Sequence, residues 1–219
     1  MNASDRPADA LLRWYGLYPA LVSDLVDPDN LGRIEVRFPG FGDPGSEVRA
    51  WATLCTPYAD DNQGLQILPE VDSQVVVGFE AGDPTRPYIV GCCWNGQRSL
   101  PESPEAANNK RLLRTRSGSE LLFDDSDGNV VVQLKTAGGH LLKMSDTGDV
   151  ELDHSNGCTI KLTMAGQVTV NANSTVDVTA SVINLKAPMV KADGVVKCET
   201  LITQSVVSPS YTPGAGNVW

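Results

Sequence analysis

Two histidines are the side chains of this sequence that could bind a metal ion. His154 lies in phase with the apolar residues before it, so three copies of the chain could bring it together at a common axis. Imidazole is a common ligand of transition metals. No second ligand accompanies His154, and a position at a strand end before a turn explains it better. His140 stands beside two glycines and is assigned no role, so we predict no metal site.

Six carboxylates could in principle supply the acid–base pair that cleaves a glycosidic bond on a β-helix. They are Asp124, Asp125, Asp146, Asp149, Glu151 and Asp153. A glycan-cleaving site also needs a groove with aromatic side chains, and the sequence has none between Phe123 and Tyr211. The acidic run at 124–129 does not fit an EF-hand, because Phe123 would be its first ligand. With no G-x-S-x-G, H-E-x-x-H or P-loop motif either, we predict neither catalysis nor a cofactor.

Composition restricts the kinds of partner. Lys and Arg number 17 against 27 Asp and Glu, so the formal net charge is −10. Because affinity for nucleic acid comes mainly from Lys and Arg, we predict no nucleic-acid partner. Five cysteines without a C-x-x-C pair predict neither a disulfide scaffold nor a zinc site. The start lacks a signal-peptide pattern and no apolar run approaches the ~20 residues of a membrane span, which predicts synthesis in the cytoplasm.

Short β-rich segments separated by turn sequences fill the first half of the chain. They follow an N-terminal segment at 1–14 and run over 32–38, 48–55, 73–80 and 87–94. Many short strands bounded by Gly, Pro, Asp and Asn favour a small barrel over an α/β fold, and we expect this domain at 15–97. The stretch 98–115 is rich in polar residues and Pro, a composition that predicts a linker.

A degenerate repeat of roughly twenty residues follows at 116–190. Its glycines begin the units at Gly118, Gly138 and Gly157 and mark their centres at Gly128, Gly148 and Gly166. Each unit predicts two short strands joined by a turn, as in a β-solenoid or a related stacked architecture. From 168 to 182 apolar and polar residues alternate strictly, and this period of two predicts a β-strand.

One face of the predicted strands is apolar, and the chain holds no second apolar element to cover it. Burying a Val or Leu side chain is worth about 1.5–3 kcal/mol, and a large exposed apolar patch promotes aggregation. Three chains wound about one axis would cover this face and close the sheet edges. We therefore predict an all-β homotrimer with an N-terminal barrel and an intertwined trimeric β-prism. Its predicted core is Leu142, Met144, Val150, Leu152, Ile160, Leu162, Val168, Val170, Val176, Val178 and Val182.

Several stretches of the first half occur in a characteristic order: DPDNLGRIEVRFP (27–39), PEVDSQVVVGFEAGDPTRPYIVG (69–91) and the closing Asn-Gly at 95–96. They resemble the OB-fold domain of the contractile-tail spike family, which includes phage baseplate assembly protein V and the spike part of VgrG. The later stretch NNKRLLRTRSGSELLFDD (108–125) resembles the passage in which these spikes enter their β-helix. The resemblance implies a homotrimeric needle with a triple-stranded β-helix, mounted on a baseplate hub and driven into the target envelope by sheath contraction. The residues expected to dock on the hub are Phe38, Pro39, Phe41, Asp83 and Pro84.

The C-terminal stretch 191–219 is the expected tip of this needle. Its candidate residues are Ser208, Pro209, Tyr211, Pro213, Asn217 and Trp219. Many spikes of the family bind iron through a His-x-His near the tip, and this sequence has no histidine there. Either the Pro- and Gly-rich end folds into its own cap, or a separate PAAR-like protein covers it. Two other functions stay open: a trimeric receptor-binding fibre or adhesin, and a β-helical glycan hydrolase.

Overall fold

The first half of the protein is a closed five-stranded barrel. The computed structural model describes residues 13–42 and 45–210. The barrel strands are β1 (Leu17–Asp24), β2 (Ile34–Phe38), β3 (Val48–Leu54), β6 (Gln74–Phe79) and β7 (Pro87–Cys92). A small hairpin of β4 (Ala59–Asp60) and β5 (Gln63–Gly64) lies between β3 and β6 in the chain. Around the barrel the order is β1-β2-β3-β7-β6, and the parallel pair of β3 and β7 closes it.

Alternation along these strands directs one face of each into a common core. In β2, Ile34, Val36 and Phe38 are buried, whereas the two residues between them are half-buried. The other strands contribute Ala20, Val22, Ala52, Val75, Val77 and Ile89, all 0–1% exposed. These are mainly β-branched residues, which pack well on a pleated surface. The predicted all-β barrel is confirmed.

One buried carboxylate organises the turn between β1 and β2. Asp27 is 6% exposed. It accepts hydrogen bonds from the backbone amides of Asp29, Leu31 and Arg33. The Arg33 guanidinium donates two more, each at 2.8 Å, from Nε and Nη2. This guanidinium, followed by the backbone donors, holds the pKa of Asp27 well below its usual range.

The second half is an antiparallel sheet in which every strand pairs with the next one along the chain. Its strands are β8 (Lys110–Arg114), β9 (Glu120–Asp124), β10 (Val131–Lys135), β11 (Leu141–Ser145), β12 (Val150–Asp153), β13 (Thr159–Leu162) and β14 (Val168–Asn171). The first of these strands begins inside the range 98–115, whose composition predicted a linker. The predicted pairs of short strands joined by turns are therefore hairpins of one meander.

Four turns of this sheet share one five-residue form. In each, the first residue donates its N–H to the carbonyl of the fifth, and the fourth donates to the carbonyl of the first. The fourth residue has a positive φ, between 78° and 94°, and is always glycine: Gly118, Gly139, Gly157 and Gly166. Gly138, predicted to begin a unit, takes the third place and has no positive φ. The glycine that this turn requires is thus the next residue, Gly139.

The last strand is shorter than its sequence pattern predicts. Alternation continues from 168 to 182, but β14 ends at Asn171, and no strand occurs among the described residues 172–210. A strand needs a neighbour to accept and donate its backbone hydrogen bonds. A single chain offers no such neighbour to the residues after Asn171. β14 is the last strand of the sheet, and its only partner, β13, extends no further than the position opposite Asn171.

Helix contributes little to the architecture. Within 13–42 and 45–210 the only helical segment is a 3-10 turn at Glu80–Gly82. No helix in those ranges is long and apolar enough to cross a membrane.

Candidate functional site: an uncovered apolar face

The sheet of the second half carries two unbroken rows of apolar side chains on one face. Directly paired residues of antiparallel strands point to the same side of a sheet. The first row is Leu113, Leu121, Leu134, Leu142, Leu152, Ile160 and Val170. The second row is Phe123, Val132, Met144, Val150, Leu162 and Val168. Together these two rows are called the apolar face.

The apolar face is open to solvent in a single chain. Its side chains range from 38% exposed at Leu142 to 65% at Val168, except for Leu121 and Val132, which are half-buried. Among the sheet residues only Val131 is buried, and it lies on the opposite face. Contiguous apolar surface of this extent marks an interaction site. Nothing in the described part of one chain covers it.

The opposite face of the sheet is mainly polar, although it also carries Leu112, Leu122, Val131 and Leu141. Lys143, Glu151 and Lys161 lie side by side on three successive strands. The Lys161 Nζ lies 2.8 Å from Glu151 Oε1 and also contacts the Asp149 carboxylate. These two carboxylates, Asp149 before Glu151, raise the pKa of Lys161. Charges of alternating sign suit a face that stays in water, so the two faces differ clearly in what they can bind.

The predicted core residues fall into two groups. Those from Leu142 to Val170 all lie on the apolar face. Val176, Val178 and Val182 follow the last strand and are 58%, 66% and 69% exposed. In a single chain they have no partner strand that would place them in either row.

Five residues of the apolar face escaped the sequence prediction. They are Leu113, Leu121, Phe123, Val132 and Leu134. The prediction followed even residue numbers, and the six-residue loop at 125–130 reverses this parity because paired residues on its two sides, such as Phe123 and Val132, differ by an odd number. The apolar run at 130–132 also conceals the alternation in β10. Loop length was the signal that could have revealed the complete rows.

At one margin of the apolar face the structure brings the two histidines together. His140 immediately precedes β11 and His154 immediately follows β12, and their ring centroids lie 4.2 Å apart. Their Nδ1 atoms accept hydrogen bonds from the backbone amides of Ser155 and Asn156, at 3.3 and 3.2 Å. These hydrogen bonds favour the tautomer of each neutral ring that carries its proton on Nε2. Within the described ranges, no three His, Cys, Asp or Glu side chains group as ligands.

The two barrel loops that were expected to dock on a hub meet around Trp14. Its ring stacks on Phe41 at 4.8 Å, and its backbone N–H donates to the Gly82 carbonyl at 2.8 Å. Phe38 is 1% exposed and belongs to the barrel core, so its side chain supports this end of the barrel from inside. Pro39 is exposed on the surface, and Phe41 is half-buried.

The loop after β6 has a fixed conformation. Gly82 has φ +81°, and an added Cβ would lie 3.0 Å from the Tyr15 ring. Asp83 accepts hydrogen bonds from the hydroxyl and the backbone amide of Thr85, which lower the pKa of Asp83. The next residue, Pro84, is exposed. This end of the barrel is therefore shaped before any partner binds.

The predicted tip is described only in part. Ser208 and Pro209 are exposed, and the Ser208 hydroxyl donates to the Ser210 carbonyl at 2.6 Å. The other candidate residues lie outside the described ranges: Tyr211, Pro213, Asn217 and Trp219.

Family models match both halves of the chain. Residues 18–94 match the type VI secretion system/phage-baseplate injector OB domain. Residues 110–195 match the phage baseplate V C-terminal trimerisation domain. The first range contains the closed barrel, and the second contains the sheet with its apolar face. Trimerisation accounts for a face that one chain leaves uncovered.

Curated relatives agree with these models. The chain is 28% identical over 113 residues to the type VI secretion system spike protein VgrG3 of Vibrio cholerae. This aligned stretch covers 48% of this chain and 11% of that protein. It is 25% identical over 113 residues to the spike protein VgrG5 of Pseudomonas aeruginosa, 48% of this chain and 14% of that protein. It is 26% identical over 113 residues to the actin cross-linking toxin VgrG1 of V. cholerae, 48% of this chain and 10% of that toxin. The match thus spans a small part of each relative. With an injector OB barrel followed by a baseplate V trimerisation sheet, the chain belongs to the contractile-tail spike family.

Proposed function

We propose that three copies of this protein form the central spike of a contractile injection system, which docks on a baseplate hub and pierces the target envelope. The apolar face carries this proposal. It runs through every strand of the sheet, and a trimer with the three faces turned inward would bury all of it. The polar faces, with Lys161 and its two carboxylates, would then form the outer walls.

The mechanical property of such a needle follows from its packing. Each Val, Leu or Ile side chain transferred from water to the interior contributes about 1.5–3 kcal/mol. This contribution is repeated along both rows of the apolar face and in all three chains. Bending the needle would therefore expose apolar side chains of many strands at once. Cyclic symmetry also leaves each chain in an equivalent position. Stiffness of this kind is what a needle driven by a contracting sheath requires.

Docking on a hub would use the end of the barrel around Trp14. Pro39 and Pro84 are exposed there, and Phe41 and Asp83 are half-buried beside them. The stacking of Trp14 on Phe41 and the bond from Trp14 to the Gly82 carbonyl hold the two loops together. A preformed surface binds without the cost of ordering its loops.

At the other end, residues 191–219 would meet the envelope, either directly or beneath a PAAR-like cap. We assign this chain a structural role and no reaction. Actin cross-linking belongs by name to the VgrG1 toxin, and the stretch shared with this chain is 10% of that protein. The spike is delivered to the target as part of the assembled particle.

Adjacent residues of β14 provide the test. Val170 is 53% exposed on the apolar face, and Thr169 lies on the polar face opposite Lys161. Val170→Asp would place three carboxylates inside the trimer, whereas Thr169→Asp adds a carboxylate next to a lysine in water. By sedimentation equilibrium, the wild type and Thr169→Asp should have about three times the mass of one 23.4 kDa chain, and Val170→Asp should have a lower mass.

The same variants test the role in piercing. Each would replace the wild-type chain in cells that produce the injection system, and particles would be counted by electron microscopy and assayed for dye entry into target cells. Thr169→Asp should support both assembly and dye entry. Val170→Asp should reduce both. Normal particles that permeabilise targets with Val170→Asp, or without this chain at all, would contradict the proposal.

A further inference from the structure

A groove lies between the barrel and the first strand of the sheet. Its volume is about 830 Å³. The barrel side supplies Ile67, Leu68, Cys93 and Trp94, and the sheet side supplies Leu113. The groove therefore joins the two halves of the protein, and these apolar side chains lie in it among polar and charged residues.

The apolar side chains of the groove are open to solvent in a single chain. Ile67 is 52% exposed, Leu68 42%, Trp94 63% and Leu113 49%. A cluster of four large apolar residues at one place differs from the isolated apolar residues found on any protein surface. It marks a surface that another molecule covers.

The walls of the groove are held in place by polar contacts across it. Arg116 Nη1 lies 3.0 Å from Glu70 Oε2, which ties the sheet to the segment before β6. Arg98 donates to the Asp72 carbonyl at 3.0 Å, at the other end of the same segment. Pro69, between these ties, is buried. The groove is thus formed in the single chain.

Its position identifies the occupant. Leu113 lines the groove and is also the first member of the first row of the apolar face. Whatever covers the row at Leu113 in the trimer lies directly beside Ile67 and Trp94. A neighbouring copy is already required there by the trimerisation sheet, so the groove continues an interface that the family establishes.

We propose that the neighbouring protomer of the trimer fills this groove, so that the trimer interface extends from the sheet onto the barrel. This goes beyond the spike function, because a trimer held only by its sheets would leave each barrel attached to the needle by its own chain and the exposed polar contacts across the groove. Filling the groove fixes each barrel to the needle of its neighbour. Force applied to the barrels at the hub then reaches the needle through packed side chains.

The thiol of Cys93 reports on the groove. Cys93 lines it, and Cys55 is also exposed but lies elsewhere on the barrel. Two full-length chains would be compared, one keeping only Cys93 and the other only Cys55, with the remaining cysteines changed to serine. Because a thiol reacts only where the reagent reaches it, the purified Cys93 trimer should react with a maleimide about tenfold more slowly than the Cys55 trimer. Equal rates would show an open groove and overturn the proposal.

A second variant identifies what shields Cys93. Ile67→Asn, which is uncharged and leaves the electrostatics of the thiol unchanged, should restore fast reaction. Leu31→Asn, at a 69% exposed position outside the groove, should not. Protection that persists with Ile67→Asn would overturn the proposal, because the shield would then lie within one protomer. The mass of each sample separates these outcomes from a failure to trimerise, and the absence of other proteins excludes a hub as the shield.

Discussion

The barrel and the sheet use the same kinds of residue in the same alternating pattern, yet only the barrel buries them within one chain. In the barrel, nine apolar side chains are 0–1% exposed. In the sheet, the corresponding side chains of the apolar face remain from 38% to 65% exposed, with two half-buried exceptions. Alternation thus specifies which side of a strand is apolar and must be buried. It does not specify whether that side is buried by the same chain or by another one.

Closure accounts for the difference between the two regions. The parallel pairing of β3 with β7 brings the barrel strands around a common axis, so their inner faces meet. The sheet strands pair only with their neighbours in the chain, and the sheet stays open. The barrel is therefore a domain with its own core, whereas the stability of the sheet depends on protein concentration through assembly.

Ile89→Ala should show the largest effect on the barrel. Ile89 is fully buried, and truncating such a side chain costs about 2–5 kcal/mol because it leaves a cavity. The free energy of unfolding of the barrel, measured by chemical denaturation, should fall by that amount. Val90→Ala is the matched control, since Val90 is the next residue of β7 and is 54% exposed. An equal effect of the two substitutions would contradict the assigned core.

The mass of Ile89→Ala sharpens the comparison further. Because the substitution lies in the barrel core, the sedimentation mass should remain that of the trimer under native conditions. Val170→Asp should show the reverse, a stable barrel and a lower mass. If both substitutions changed the barrel and the mass together, the two regions would not be separate folding units.

Asp27→Asn should destabilise the barrel at neutral pH and change its response to acid. The folded-state pKa of Asp27 lies below the unfolded value of about 3.9, so its ionised form stabilises the fold fully above that pH. This contribution is lost as the pH falls from about 4 toward the lower folded-state pKa. Denaturation midpoints measured between neutral and strongly acidic pH should therefore fall less steeply for the variant than for the wild type.

Asp29→Asn is the control for this pH dependence. Asp29 pairs with the same Arg33, but its side chain is 66% exposed, and exposed ion pairs contribute little. Its profile should follow the wild type. If Asp27→Asn gave the same profile as Asp29→Asn, the buried carboxylate would not organise the turn.

The smallest effect should come from a pair of adjacent glycines in the sheet. Gly139 has φ +87°, where an L residue costs about 1–2 kcal/mol, so Gly139→Ala should destabilise the assembled sheet by about that amount per chain. Gly138→Ala should change little, because an added Cβ would make only ordinary contacts at 3.8 Å and beyond. Thermal dissociation of the trimer measures both. A larger effect at Gly138 would contradict the five-residue turn.

Much of this architecture could be predicted from the sequence, because alternation is a local property. The segments containing Ile34–Phe38 and Gln74–Phe79 were predicted as strands, and the residues from Leu142 to Val170 were placed on one face. Properties that depend on which strands pair with each other were harder to predict from the sequence. The reversed parity of Leu121 and Phe123 follows from the length of the loop at 125–130, and the end of β14 at Asn171 follows from the absence of a partner strand.

The candidate site shows the same limit. His140 and His154 are separated by fourteen positions in the sequence, and only the register of β11 and β12 brings their rings to 4.2 Å. The groove depends on residues around 67, 94 and 113 that come together through the arrangement of the two halves. No periodicity in the sequence relates those positions.

The five-residue turns have a consequence for the size of the sheet. Because each turn joins neighbouring strands with an odd number of residues, a hairpin with two such turns can be added or removed without moving any other side chain off its face. Strands lie about 4.7–4.9 Å apart, so one hairpin changes the width of the sheet by about 9–10 Å in a single step. In the proposed spike, duplication or loss of one short stretch of gene would therefore change the size of the trimeric sheet in steps, while the barrel proposed to dock on the hub would stay the same.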